Sequence, residues 1–325
     1  MIRLGVIGAG SHSRRHHGAA LAQVAAADGD VELVAVCDLD RARAERYAAE
    51  FGFARVYADY RAMLAAEKLD GLIAVTPVAR TREIAGELLT CGIPLLVEKP
   101  PGADIAEARE LLEIACEHNA PHMVSFNRRF CPPVVQARKW LEENALGRPV
   151  EQAAARMFRV ARPDEDFLTG TAIHAVDTVL SFMPPPELVA ARRWQTPIGE
   201  GGRPGQSCLG WLGFAGGVTA SLAIAPAAGG HEETYELIGP EFTVWIDAAR
   251  GSLRVRDRGE LVLTDDVPTD APACVREGAL AEAEAFLAAI RCIGPLGPTL
   301  ADGLTALRVA EALDAGGEDR ALLPW

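Results

Sequence analysis

Residues 95–101 read Leu-Leu-Val-Glu-Lys-Pro-Pro. The three apolar residues form a buried strand, and the two prolines stop it abruptly. Lys99 therefore leaves the carboxyl end of a strand, which is where open α/β sheets bind ligands. A lysine there can accept or hold a proton near neutrality if its pKa is lowered or a relay serves it. The bland alternative is a surface lysine before a turn.

A second constellation lies at the start of the chain. The apolar run Ile2–Ile7 leads into Gly8-Ala9-Gly10-Ser11-His12-Ser13 and then a helical stretch through Ala27. This is a G-x-G-x-x-S variant of the dinucleotide fingerprint. Gly8 allows the tight turn, and Gly10 lets a pyrophosphate approach the backbone at the helix N-terminus. Ser13 stands where a third glycine would permit close helix–strand packing. Asp38 ends the next strand, Val31–Cys37, 28 residues after Gly10. An acid at that place accepts a ribose hydroxyl and repels a 2′-phosphate, which favours NAD; Arg41 and Arg43 nearby keep NADP open. The alternative role for Asp38 is a helix N-terminal acid facing the dipole.

Further along, Thr171–Phe182 reads TAIHAVDTVLSF. His174 and Asp177 are three apart and share a helix face, and an imidazole can donate, accept and titrate near neutral pH. Its alternative is a packed, hydrogen-bonded helix histidine. Arg156, Arg159 and Arg162 fit either an acidic sugar or a solvent-facing strand edge. His12, His16 and His17 cluster beside the glycine loop with no carboxylate next to them in sequence, so no metal site is expected; His12 and His17 read as solvated. The seven cysteines form no C-x-x-C pair, and buried thiols are expected at Cys37 and Cys91.

The elements that must position these residues alternate. After Asp38 come a helix 40–50, a short strand 56–57, a helix 60–66, a strand 71–75 broken by Thr76-Pro77, and a helix 80–91 ended by Gly92. Strand 95–98, a helix 104–119 capped by Asp104, and strand 122–126 complete the series. Such alternation implies a doubly wound parallel sheet with right-handed crossovers. A helix 134–144 follows. Strands at 151–160, 187–196, 206–214, 218–224, 232–238 and 243–247 then imply an antiparallel sheet, with a hairpin at Gly216-Gly217. Helices 276–291 and 300–315 close the chain. The expected fold is α/β: an N-terminal Rossmann doubly wound parallel sheet (1–125) plus a C-terminal α+β domain with an open-faced, mainly antiparallel sheet (126–325).

The chain has 325 residues, 49% hydrophobic and 24% charged, enough for two domains. A net charge of −13 argues against a nucleic-acid partner and an anionic membrane surface. No apolar run reaches transmembrane length, and the first strand starts at once, so a cytoplasmic protein acting on a small molecule is expected.

Five motifs in order, Gly8-x-Gly10-x-x-Ser13-x-x-His16, Asp38, Thr76-Pro77, Glu98-Lys99-Pro100 and Asn127-Arg128-Arg129-Phe130, resemble the Gfo/Idh/MocA oxidoreductases, typified by glucose–fructose oxidoreductase and inositol 2-dehydrogenase. The resemblance covers essentially the whole chain. It implies NAD(P)-dependent hydride transfer at a secondary alcohol or carbonyl of a sugar, polyol or related hydroxy compound. It implies a cis peptide before Pro100, with Lys99 reaching the reacting oxygen and His174 holding it. The implied cofactor residues are Gly8, Gly10, Ser11, His12, Ser13, Asp38, Thr76, Pro77, Glu98, Lys99 and Asn127. The implied substrate residues are Lys99, Asn127, Arg128, His174 and Asp177, to which the strand reading adds Arg156. A homodimer or homotetramer through the open sheet is implied too. One departure stands out: the family pattern D-x-x-x-H-x-x-D requires an aspartate at position 170, where this chain has Gly170. Asp166 could replace it if the 167–171 segment folds back. The departure keeps two other readings open: a dinucleotide-binding regulator without catalysis, and an enzyme that uses NAD transiently for a lyase, epimerase or glycosidase reaction.

Overall fold

The structure is a computed structural model that describes residues 1–162, 166–198 and 204–321, with side chains through residue 317. Two compact units emerge, Met1–Asn127 with Pro272–Leu304, and Arg128–Ala271 with Thr305 onward.

The first unit is built on β1 (Ile2–Ile7), β2 (Val31–Cys37), β3 (Arg55–Tyr57), β4 (Gly71–Ala74), β5 (Leu95–Glu98) and β6 (His122–Ser125). They lie in the order β3-β2-β1-β4-β5-β6 with every pair parallel. The strands are apolar throughout because helices cover both faces; Leu4, Val6, Leu72, Leu95 and Val124 are fully buried. The order reverses between β1 and β4, and that switch point opens a crevice at the strand ends. The helices are α1 (Ser11–Ser13), α2 (Ala19–Ala27), α3 (Arg41–Phe51), α4 (Tyr60–Ala66), α5 (Val78–Leu89) and α6 (Ile105–Glu117). Asp40, Asp59 and Asp104 cap α3, α4 and α6 with their side chains.

One helix was expected from the glycine loop to Ala27, but a π-helical turn, Arg14–Gly18, separates α1 from α2. It packs against α3. A Cβ on Gly18 would meet Phe51 at 2.5 Å and the Tyr47 hydroxyl at 2.7 Å. The Ser13 hydroxyl pairs with Tyr47 Oη at 3.0 Å. Serine thus does the work of the third glycine and adds a hydrogen bond. Of the two thiols expected to be buried, Cys37 is, and burial pushes it up to about 12. Cys91 is exposed, because it sits past the end of α5 rather than in its buried stripe.

The second unit starts with α7 (Pro132–Asn144) and β7 (Gln152–Phe158), followed by a π-helical turn, Phe167–Ala172, that runs into α8 (Ile173–Leu180). Strands β8 (Pro186–Thr196), β9 (Gly205–Phe214), β10 (Thr219–Ala225), β11 (Glu232–Gly239), β12 (Phe242–Asp247), β13 (Ser252–Asp257) and β14 (Glu260–Asp266) come next. Then α9 (Ala273–Arg276) and α10 (Ala279–Ile290) return to the first unit, where α10 packs on α2. The first unit thus draws on two separate stretches of the chain. Gly278, at φ +86°, breaks what the sequence suggested as one helix. Finally α11 (Leu300–Ala315) leads to β15 (Gly317–Ala321).

The nine-stranded sheet has the order β14-β13-β12-β11-β7-β10-β9-β8-β15, with only β7–β10 parallel. Gly216 and Gly217, at φ +76° and +82°, make the turn between β9 and β10 as expected. One face buries Ala155, Met157, Leu212, Leu237 and Val244 and receives α8; the other leaves Trp211 and Trp245 partly exposed. Strands β13, β14 and β15 were not anticipated. Ser252–Asp257 alternates apolar residues with arginines, and Glu260–Asp266 is an exposed edge strand, so neither carries a strong apolar signal. Among the described residues no helix is long and apolar enough to cross a membrane.

Candidate active site

A cleft of about 660 Å³ opens at the carboxyl ends of β1, β2, β4 and β5 in the first unit. Ten of the anticipated residues line it: Gly8, Gly10, Ser11, His12, Ser13, Asp38, Thr76, Pro77, Glu98 and Lys99. The two glycines serve different ends. Gly8 has φ +100°, and a Cβ there would lie 2.0 Å from the Val75 carbonyl oxygen. Gly10 has an ordinary extended backbone, and a Cβ built on it meets nothing within 4 Å. Nothing in the fold itself demands glycine at Gly10; a ligand lying on the loop would. The first-turn amides of Ser11–Ser13 face no intrahelical acceptor and suit an anion. These features fit a dinucleotide pyrophosphate. Gly8→Ala is therefore expected to cost stability outright. Gly10→Val is expected to melt like the native protein but to bind NAD at least about tenfold more weakly by fluorescence titration.

Asp38 is buried at the mouth of this cleft. Its Oδ2 accepts from the Ala9 amide at 2.8 Å and Arg43 Nε at 3.1 Å; its Oδ1 accepts from the Asp40 amide at 2.9 Å and Arg43 Nη2 at 2.6 Å. Burial raises its pKa, but the Arg43 guanidinium and the two amides outweigh that and hold the carboxyl below its usual range. All four lone-pair sites are engaged, so a ribose hydroxyl must displace Arg43 to bind there. Asp40, not Asp38, caps α3.

Glu98 corrects one expectation. The glycine-loop histidines do have a carboxylate partner, delivered from β5. Glu98 Oε1 accepts from His12 Nε2 at 2.9 Å and His17 Nε2 at 2.6 Å, and Oε2 accepts from the Lys99 amide at 3.1 Å. His17 is buried, not solvated, while His12 is half exposed toward the cleft. The partner lies 81 residues beyond His17, so proximity in sequence could not reveal it. Burial pushes the Glu98 carboxyl up, but His12 and His17 reverse the shift and leave it well below the usual carboxylate range. The three ligand-type atoms lie within 4.8 Å of one another, and direct N–H···O bonds account for the cluster. The Lys99–Pro100 peptide is cis, as expected, and Lys99 is half buried in the cleft wall.

The other candidates are Asn127 of the first unit and Arg128, Arg156, His174 and Asp177 of the second. Asn127 donates its side-chain amide to the Glu277 carbonyl at 2.8 Å and is not among the cleft-lining residues. In the second unit, Arg128 Nε donates to Glu233 at 2.8 Å, and Arg159 Nη2 donates to the same carboxylate at 2.6 Å. Arg159 is thus turned inward. Arg156 projects from the other face of β7, in a groove with Glu236, Trp245 and Arg254. Asp177 is buried, and the Arg129 fork holds it at 2.8 and 2.7 Å. His174 is buried on the first turn of α8.

Sequence reasoning passed over Leu39, Tyr60, Arg61 and Arg80, which also line the cleft. Only Leu39 carried a readable signal: an apolar residue directly after the strand-ending acid, and 89% exposed in the fold.

Residues 2–126 match the oxidoreductase family described as having an NAD-binding Rossmann fold. The chain is 28% identical to D-apiose dehydrogenase of Paraburkholderia graminis over 260 residues, 77% of this chain and 66% of that one. It is 24% identical to inositol 2-dehydrogenase of Rhizobium meliloti over 326 residues, 96% and 95% of the two chains. The fold also superposes on levoglucosan dehydrogenase in complex with NADH, with a TM-score of 0.82 at 22% identity, covering 97% and 96%. With a glycine cradle, a strand-end acid and a lysine in one cleft, residues 2–126 belong to the Gfo/Idh/MocA family of NAD-binding oxidoreductases, and an inositol 2-dehydrogenase matches along nearly the full length of the chain.

Proposed function

We propose that the protein is an NAD-dependent dehydrogenase that oxidises a secondary alcohol of a sugar or polyol. The carrying observation is that Lys99 lines the same cleft as Gly10 and Asp38. Bound NAD supplies the hydride acceptor. The backbone at Gly10–Ser13 would hold the pyrophosphate, Asp38 and Leu39 would hold the adenosine end, and Lys99 takes the hydroxyl proton. The Glu98 carboxylate is tied to His12 and His17, which fixes the turn that presents Lys99. His174 steadies the substrate oxygen, with Asn127, Arg128, Arg156 and Asp177 as further substrate-side candidates. The support for a sugar or polyol is that the relatives are named for apiose and inositol. The protein acts in the cytoplasm, where NAD turns over, and assembles as a dimer or tetramer through the open sheet face that carries Trp211 and Trp245.

Incubation with NAD and a panel of inositols, aldopentoses and glucosides tests the proposal: NADH should appear with at least one of them. Tight NAD binding without turnover on any polyol or sugar would instead favour a dinucleotide-binding regulator. NADP is the minor cofactor in this reading. Asp38→Ala should weaken NAD by roughly tenfold and free Arg43 for a 2′-phosphate, so that the NAD/NADP ratio of kcat/KM falls. An unchanged ratio would remove Asp38 and Arg43 from cofactor choice.

A further inference from the structure

We propose that His12, His17 and Glu98 form a binding site for one divalent cation of the Zn²⁺ class. The inference stands on the geometry of these three side chains and does not need the dehydrogenase reading.

No metal site was expected because the glycine-loop histidines have no carboxylate beside them in sequence. The end of β5 supplies one. His12 Nε2 lies 2.9 Å and His17 Nε2 2.6 Å from the same oxygen, Glu98 Oε1. The three atoms all lie within 4.8 Å of one another, and all three residues belong to the first unit. Two imidazoles and a carboxylate are the donors that Zn²⁺, Co²⁺ and Ni²⁺ take, whereas Mg²⁺ and Ca²⁺ prefer oxygen alone. Three protein ligands leave a fourth position for water.

The local backbone brings the two histidines together. His12 lies in α1, and His17 follows five residues on, in the π-helical turn. In an unbroken α-helix, residues five apart point about 140° away from each other. The wider π turn takes up one residue, so the two imidazoles stand about 40° apart, as residues four apart do on an α-helix. That is the spacing of the paired histidines in helical zinc sites. Glu98 approaches from the end of a buried strand. Its other oxygen, Oε2, accepts from the Lys99 amide at 3.1 Å, which keeps Oε1 turned toward the histidines.

Hydrogen bonds hold the three atoms together as they stand, and a bound ion takes the place of the two protons they share. Each imidazole then carries its proton on Nδ1. Ligand atoms around a tetrahedral zinc lie about 3.3 Å apart, so the two N···O separations must open by roughly half an ångström. His12 is half exposed and can turn to make most of that movement. His17 and Glu98 are buried and already face each other.

Isothermal titration with ZnCl₂ tests the site, using the full chain stripped with EDTA. Cys91→Ser, Cys116→Ser and Cys292→Ser remove the exposed thiols that would compete for the ion. One ion should bind per chain, with a Kd in the micromolar range or below. His12→Gln is the deciding variant, because a half-exposed side chain can change without unfolding the protein. It should weaken Zn²⁺ at least about 100-fold. Co²⁺ bound in place of Zn²⁺ should show the strong visible absorption of a four- or five-coordinate ion, and His12→Gln should abolish it. His118→Gln, which alters an exposed histidine elsewhere in the unit, should bind like its parent. Mg²⁺ should not displace the ion. No saturable binding, an unchanged affinity in His12→Gln, a loss in His118→Gln, or displacement by Mg²⁺ would each overturn the proposal.

Discussion

Replacing Lys99 by alanine should lower kcat by about 10²- to 10⁴-fold, the range for loss of a positioned acid–base group. Pro100 and Pro101 follow β5 directly and end it at the cleft. Lys99 therefore stands on the rigid end of a buried strand. Its neighbour Glu98 is anchored by three hydrogen bonds, two from histidines of the glycine-loop segment and one from the Lys99 amide. The residue is thus placed by the same framework that places the phosphate loop. Alanine removes the side-chain amine and leaves that framework untouched, so NAD affinity should stay within a few-fold while turnover collapses. Steady-state kinetics with the best substrate from the panel, alongside a fluorescence titration with NAD, separates the two effects. Native-like turnover in the variant would remove Lys99 from the chemistry.

Replacing Glu233 by glutamine should destabilise the second unit by about 3–5 kcal/mol, the cost of breaking a buried ion pair from one side. Glu233 is buried, and both its oxygens are taken by arginines, Arg128 and Arg159, whose own side chains are only 14% and 7% exposed. Burial alone would raise this carboxyl, but the two guanidiniums outweigh it and keep it below its usual range. The sign follows from linkage. A depressed carboxyl contributes stability that is fully present above the unfolded-state pKa and is lost as the pH falls through the folded-state value. The native protein should therefore weaken on acidification below the ordinary carboxylate range, and the variant should start weaker at neutral pH and lose less on acidification. Urea denaturation across that range measures both. A loss below about 1 kcal/mol at neutral pH would mean that the arginines find water or other partners when the charge is gone.

Local patterns carried most of what could be read in advance. The apolar runs at Ile2–Ile7, Val31–Cys37 and Leu95–Glu98, each followed by a residue that lines the cleft, marked a parallel sheet and the edge where the cleft opens. Glycine chemistry was equally legible at Gly8, Gly10 and Gly216-Gly217. What stayed hidden depended on contacts between distant segments. Glu98 meets His12 and His17 across the sheet edge, and no neighbouring residue announces it. Glu233 looks like one more acid in a strand of alternating pattern until Arg128 and Arg159 converge on it. The return of Pro272–Leu304 to the first unit is invisible because α10 is as amphipathic against one unit as it would be against the other. Gly170 was recognised as a missing acid, yet only three dimensions show the Asp166 carboxylate in the vacated space.

The central claim is hydride transfer from a carbinol carbon to NAD. Its most direct test is a single turnover with a substrate that carries deuterium at that carbon. Each NADH formed should carry one deuterium, and the reaction should be slower than with the protiated substrate. Product appearing without net NADH, or NADH free of deuterium, would contradict it.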